Sequence, residues 1–256
     1  MNTGKSIVIS VAIASLAVIV CTLIVARPLD TFVNARKSIT VTGSAKRQIV
    51  SDLAVWNGNF SFQADDMKVA YAGLKEAAAK VKDYLLKQGI AENQIMFSAV
   101  STEVLYEIDP KTQEILAKTG MPIRGELARD ISGYIMRQTV EVSSKDVQKL
   151  GVVSRESTQL INQGVLFQSY PVQFFYTKLN DLKVDMLAEA SKDAKARAEK
   201  IVTATGGMLG YVRSARMGVF QITRLNSNEV SDYGINDTSS LEKEITAVVN
   251  VEFTIK

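Results

Sequence analysis

Residues Ala188 to Gly210 read A-E-A-S-K-D-A-K-A-R-A-E-K-I-V-T-A-T-G-G-M-L-G. Alanine is the best helix former, and small side chains let a helix lie close to a sheet or to another helix. The helix is predicted to start at an Asn180 cap and to bury Val184, Leu187, Ala194, Ala198 and Ile201. Gly206 and Gly207 are expected to end it. Ala194 to Lys200 alternates alanine with charge, which reads as a solvated face with i,i+4 ion pairs rather than a basic docking face.

Strands surround this helix. Ile245, Ala247, Val249, Val251, Phe253 and Ile255 alternate with polar residues, predicting a C-terminal strand with one buried face. Met208 to Arg224 reads as a strand pair or one bent strand, followed by a polar loop at 225–240. Upstream, Ile39–Ser44 and Asp52–Ala64 are predicted strands, the second carrying Trp56, Phe60 and Phe62 on one face. A helix capped at Asp65–Asp66 buries Ala70, Leu74, Ala77, Val81 and Tyr84 and stops at Gly89. Ile95–Ile108 and Ile131–Val142 are further strands. Ser143 and Ser144 are expected to cap a helix with Val147, Leu150, Val153 and Leu160 inward, ended by Gly164. Val165–Thr177 is an aromatic strand, apolar on both faces, and therefore either central among layers or covered by another subunit. The fold class is α+β, with helices on mostly antiparallel sheet. Pro110, Gly120, Pro122 and Gly125 mark a long loop at 109–129, and two sub-domains meeting near 109–130 are an open division of the body.

The chain has 256 residues, 46% hydrophobic and 22% charged, with a net charge of +3 and no basic stripe, which argues against a nucleic-acid partner. It has no histidine, and its one cysteine is Cys21. Disulfides within the chain, Cys/His zinc sites and Ser-His-Asp or Cys-His catalysis are thereby excluded.

Ile7 to Ala26 carries no charge, proline or glycine. As a helix it would span ~30 Å, the thickness of the hydrocarbon core. A cleaved signal peptide is the rival, but its apolar core is shorter and ends in small residues. Here Arg27 and Pro28 follow, and Val20 before Cys21 does not suit a lipoprotein site. The expected organisation is a short tail at 1–6, a transmembrane anchor at 7–26, a linker at 27–38 and a body at 39–256. Lys5 before the span and Arg27, Arg36 and Lys37 after it leave orientation equivocal by charge.

No constellation reaches catalytic specificity, so no catalytic, cofactor-binding or metal residue is assigned and no enzyme is expected. Asp65–Asp66 reads as a helix cap rather than a cation site. Val41-Thr42-Gly43-Ser44 lacks the spacing of a phosphate loop. Asn236-Asp237-Thr238 matches a glycosylation sequon by little more than chance.

The order of motifs resembles the SIMPL-domain family. The resemblance lies in I-T-V-T-G-S-A from Ile39 after an apolar segment, in Gly133-Tyr134 followed by Thr139-Val140-Glu141-Val142 and a short helix, in Ala188–Gly210, and in the alternating last strand. Ile135-Met136-Arg137-Gln138, the long 109–129 loop and the uncleaved anchor depart from the family pattern. The resemblance implies an exported bacterial envelope protein, placed on the periplasmic or outer side of the inner membrane. Members include immunogenic antigens and proteins linked to oxidative-stress defence, and one branch forms ring- or cage-like homo-oligomers. No catalytic residues are established in the family.

The expected function is therefore that of a membrane-anchored envelope protein working by self-assembly, in envelope or oxidative stress defence. The alternative is a small-ligand-binding periplasmic module with the aromatic strand lining its pocket. A terminal strand easily sits at a sheet edge, where unpaired backbone groups invite another chain. The expected subunit contacts are accordingly Phe174, Phe175, Tyr176, Val249, Val251 and Phe253.

Overall fold

The computed structural model describes residues 14–22, 37–108, 114, 118 and 129–256. Residues 14–22 are helical. No helix among the described residues is long and apolar enough to cross a membrane. The rest of the expected span at 7–26, the linker up to residue 36 and most of the 109–129 loop lie outside the described residues.

The elements run β1 (Ser38–Val50), β2 (Leu53–Ala64), α1 (Met67–Lys87), β3 (Ile95–Phe97), β4 (Ser101–Ile108), β5 (Arg129–Ser144), α2 (Val147–Glu156), β6 (Leu166–Ser169), β7 (Gln173–Phe175), α3 (Leu179–Ala204), β8 (Leu209–Met217), β9 (Gln221–Arg224), β10 (Ile235–Asn236) and β11 (Glu242–Ile255). The class is α+β, with antiparallel pairing everywhere but between β9 and β10 among the registered pairs. Two compact units form: Ile49–Thr177 with Asp237–Lys243, and the residues up to Gln48 with Lys178–Asn236 and Glu244–Lys256. The chain does not divide near 109–130. That segment joins β4 to β5, which pair antiparallel within the first unit.

In the first unit, β5 and β2 form the centre of a sheet ordered β3-β5-β2-β6, with β4 also on β5 and β7 also on β2. The even residues of β2 point Trp56 and Phe60 into a core shared with Leu74, Val81 and Leu85 of α1 and Leu150 and Val153 of α2. Burying each of the larger side chains stabilises the fold by about 1.5–3 kcal/mol. Asp66 caps α1, its carboxylate accepting from the N–H groups of Lys68 and Val69. The cap of α2 is Asp146, which accepts from Lys149 N, rather than the expected Ser143 and Ser144, which end β5. The Ser144 hydroxyl instead accepts from Asp146 N at 3.1 Å. The expected aromatic strand at 165–177 is broken at Tyr170-Pro171-Val172 into β6 and β7. Both pieces pair with β2 at the side away from β5, so this stretch is a sheet edge and not a central strand.

The second unit holds a sheet ordered β1-β11-β9-β10, with β8 also on β11. β8 and β9 make one bent run along the same strand, joined where Gly218 N donates to Val248 O at 2.9 Å. α3 buries Leu182, Met186, Ala190, Ala194, Ala198 and Val202, a strict i,i+4 stripe. Val184 and Ile201, expected inside, are exposed, and the helix has no side-chain cap at Asn180 because it begins at Leu179 after Lys178. The reason is close approach: a Cβ on Gly43 of β1 would lie 2.2 Å from Ala190 O and 2.6 Å from the Ala194 Cβ. Only small residues fit along that line.

The terminal strand β11 is not an edge. It sits between β1 on one side and β8 and β9 on the other, so its backbone is paired on both sides within the chain.

Candidate functional site

The residues expected at a subunit contact fall into two sets. Val249, Val251 and Phe253 share the core face of β11 and are only 5%, 4% and 3% exposed. They are spent inside their own unit and have no surface to offer a partner. Phe174 packs against the first unit's core, and Phe175 and Tyr176 are half-buried. The two sets belong to different units.

The surface with the properties once sought in β11 is β8. Among the described residues this strand of nine residues pairs only with β11. From Tyr211 to Met217 every residue is exposed, so side chains on both faces meet solvent. Tyr211 is 68% and Met217 63% exposed, with Val212 between them and Met208 and Val219 exposed just beyond the ends. The polar side chains of β8 turn toward β11: Ser214 Oγ donates to Glu252 at 3.1 Å and Arg213 bridges the same carboxylate at 3.3 Å. The opposite sheet edge is β1, and it is blunted. Ser44 N donates to the Asp193 carboxylate of α3 at 2.8 Å, and Arg47 pairs with Glu189 of the same helix. That Ser44 N–H, helped by Arg197, holds the Asp193 carboxyl below its ordinary value. No such cover lies along β8 among the described residues.

A second feature lies on the face of this sheet away from α3. Lys46 of β1, Glu244, Thr246 and Val248 of β11, and Gln221 and Thr223 of β9 floor a cleft of about 690 Å³. Residues Ser227 to Asp232 form its wall, with Met217, Gly218 and Val219 at the end. Gln221 pins that wall: its amide donates to Ser231 O at 2.7 Å and accepts from Ser231 N at 3.4 Å. Lys46 and Glu244 pair at 2.8 Å. The aromatic strand, expected to line a pocket, contributes no residue to this one.

One feature of the first unit escaped the sequence reading. Lys243 is buried, and its ammonium donates to Phe174 O at 2.6 Å and to Asp237 O. It anchors a strap, Asp237–Lys243, whose Thr238 O accepts from Phe174 N and whose Leu241 O accepts from Ser51 N. Burial holds Lys243 below its ordinary value, against the pull of Asp237. A lysine in an alternating strand reads as solvent-facing, and nothing in its neighbours' identities signals a pair of carbonyls waiting for it.

No curated protein matches this chain. A family model does: that of the SIMPL proteins, described as a protein of unknown function (DUF541), aligns with residues 39–253 and so takes in both β8 and the cleft. This chain, from its first strand to its last, belongs to the SIMPL family.

Proposed function

We propose that this chain is a membrane-anchored, exported envelope protein that acts by self-assembly and protein interaction rather than by catalysis, with its body on the periplasmic or outer side of the inner membrane. The observation that carries the assembly reading is the open β8 edge. A long strand paired on one side alone among the described residues, with exposed Tyr, Val and Met, is a template for another chain. Two copies meeting edge to edge satisfy the same groups on both, which makes the contact self-complementary. The apolar run at 7–26 supports the anchor, and family membership supports export and a role in envelope or oxidative stress defence.

The mass of the detergent-solubilised full-length chain tests assembly. An oligomer is expected for the parent, and Tyr211→Lys with Met217→Lys is expected to reduce it toward one subunit, since edge charges oppose pairing. A parent mass of one subunit at every dilution would sink the reading. Topology is tested separately with Ser239→Cys in a Cys21→Ser background, Ser239 being exposed. A membrane-impermeant thiol reagent should label it in cells with only the outer membrane opened. Labelling that requires breaching the inner membrane would place the body inside.

A further inference from the structure

We propose that the strap Asp237–Lys243 is a releasable clasp, which covers the outer edge of β7 and lifts off it while the rest of the first unit stays folded. The cover is specific. β7 pairs with β2 on one side. On its other side both outward backbone groups of Phe174 go to the strap. The N–H donates to Thr238 O at 2.8 Å, and the C=O accepts from the Lys243 ammonium at 2.6 Å. A further bond, from Ser51 N to Leu241 O at 2.9 Å, holds the strap beside the start of β2.

These contacts are polar, with little apolar burial behind them. Lys243 is the one buried side chain of the strap, and no residue from 237 to 243 joins the hydrophobic core of the unit. Two buried side-chain atoms among the described residues make no hydrogen bond, Ser51 Oγ and Asp237 Oδ2, and both belong to this contact. Ser51 is 3% exposed. The Ser239 N–H and hydroxyl both go to the other carboxylate oxygen, Asp237 Oδ1. Each partnerless atom gives up water when the strap closes and gains no bond, a cost that opening removes. Lys243 adds to it, because burial disfavours its charged form. A segment with few apolar contacts and buried polar atoms left unsatisfied opens locally, well below the free energy of global unfolding. Once lifted, it leaves the N–H and C=O of Phe174 unpaired, on an edge that another extended chain can join.

This inference does not depend on the assembly reading, because the strap and β7 belong to the first unit and β8 to the second. Its test is residue-resolved hydrogen exchange of the full-length chain in detergent. The amides of Ser51 and Phe174, whose acceptors are strap carbonyls, are expected to be about a hundredfold less protected than those of β2. Val81→Ala, a cavity in the core beneath α1, should speed exchange in β2 by about tenfold or more and leave the Phe174 amide as it was. Ser51→Ala removes a partnerless hydroxyl and should slow the Phe174 amide by about threefold or more. Phe174 protected as well as β2, Phe174 accelerating together with β2 in the Val81 variant, or no slowing in the Ser51 variant would each overturn the proposal.

Discussion

Ala198 lies on the buried stripe of α3 with no exposed surface, one turn from Ala194, whose Cβ lies beside Gly43 of β1. Lys195 lies on the solvated face and pairs with Glu199. Overpacking a tight site costs about 1–3 kcal/mol. Ala198→Leu is therefore expected to lower the melting temperature by several degrees, and Lys195→Leu to move it little. Equal tolerance would mean the helix turns another face inward. The alanines announced a close approach in the sequence, and Ala194 and Ala198 were read correctly as its contact points. Val184 and Ile201 were misassigned because hydrophobicity alone favours large apolar residues as the buried set. Where a glycine of the opposing strand admits the helix backbone, the smallest residues win the interior and the larger ones are pushed to its flanks.

At the scale of elements, periodicity revealed faces but not neighbours. The stripe of α1 and the alternation of β11 were legible because each reports which side chains leave water. Pairing is made by backbone groups that every residue shares, so nothing in β11 signalled that both its edges were taken. The same limit hid the open edge of β8, whose exposed Tyr211 and Val212 look like a core strand on paper. Caps were half legible: Asp66 was found, while Asp146 lost to two serines that belong to the preceding strand. Helix α2 offers a test of element energetics free of packing. Gly151 sits in its interior, and an added Cβ would meet nothing closer than the Arg155 guanidinium at 3.6 Å. Gly151→Ala should raise stability by about 0.5–1 kcal/mol through helix propensity and a less entropic unfolded chain. A fall in the denaturation midpoint would show that this glycine serves a contact the geometry does not reveal.

Across the whole molecule, the response to pH should be set at the strap. Asp237 is pulled upward by burial, but the hydroxyls of Ser239 and Ser240, the Ser239 N–H and the Lys243 ammonium together hold it below its ordinary 3.8. Its contribution to stability is therefore complete above that value and lost as pH falls through the lower folded one. Lys243 acts in the opposite direction. Its folded value lies below 10.5, so between the two the unfolded chain binds more protons and stability rises with pH. At neutral pH the charged lysine is a cost that Asp237 and the two carbonyls only partly offset. The exposed pairs of Glu76 with Lys80 and Glu92 with Lys82 also lower their carboxyls, but they stand in water and salt screens them. Asp237→Asn should consequently change both limbs of the profile. The acid limb becomes shallower, because one carboxylate that had to be protonated is gone. The alkaline rise begins at lower pH, because Lys243 loses the charge that held its value up. Thermal melts of the two proteins between about pH 3 and pH 10 measure this directly. Parallel profiles would show that the strap is held by its backbone hydrogen bonds alone and that the charge of Asp237 does not set the titration of Lys243.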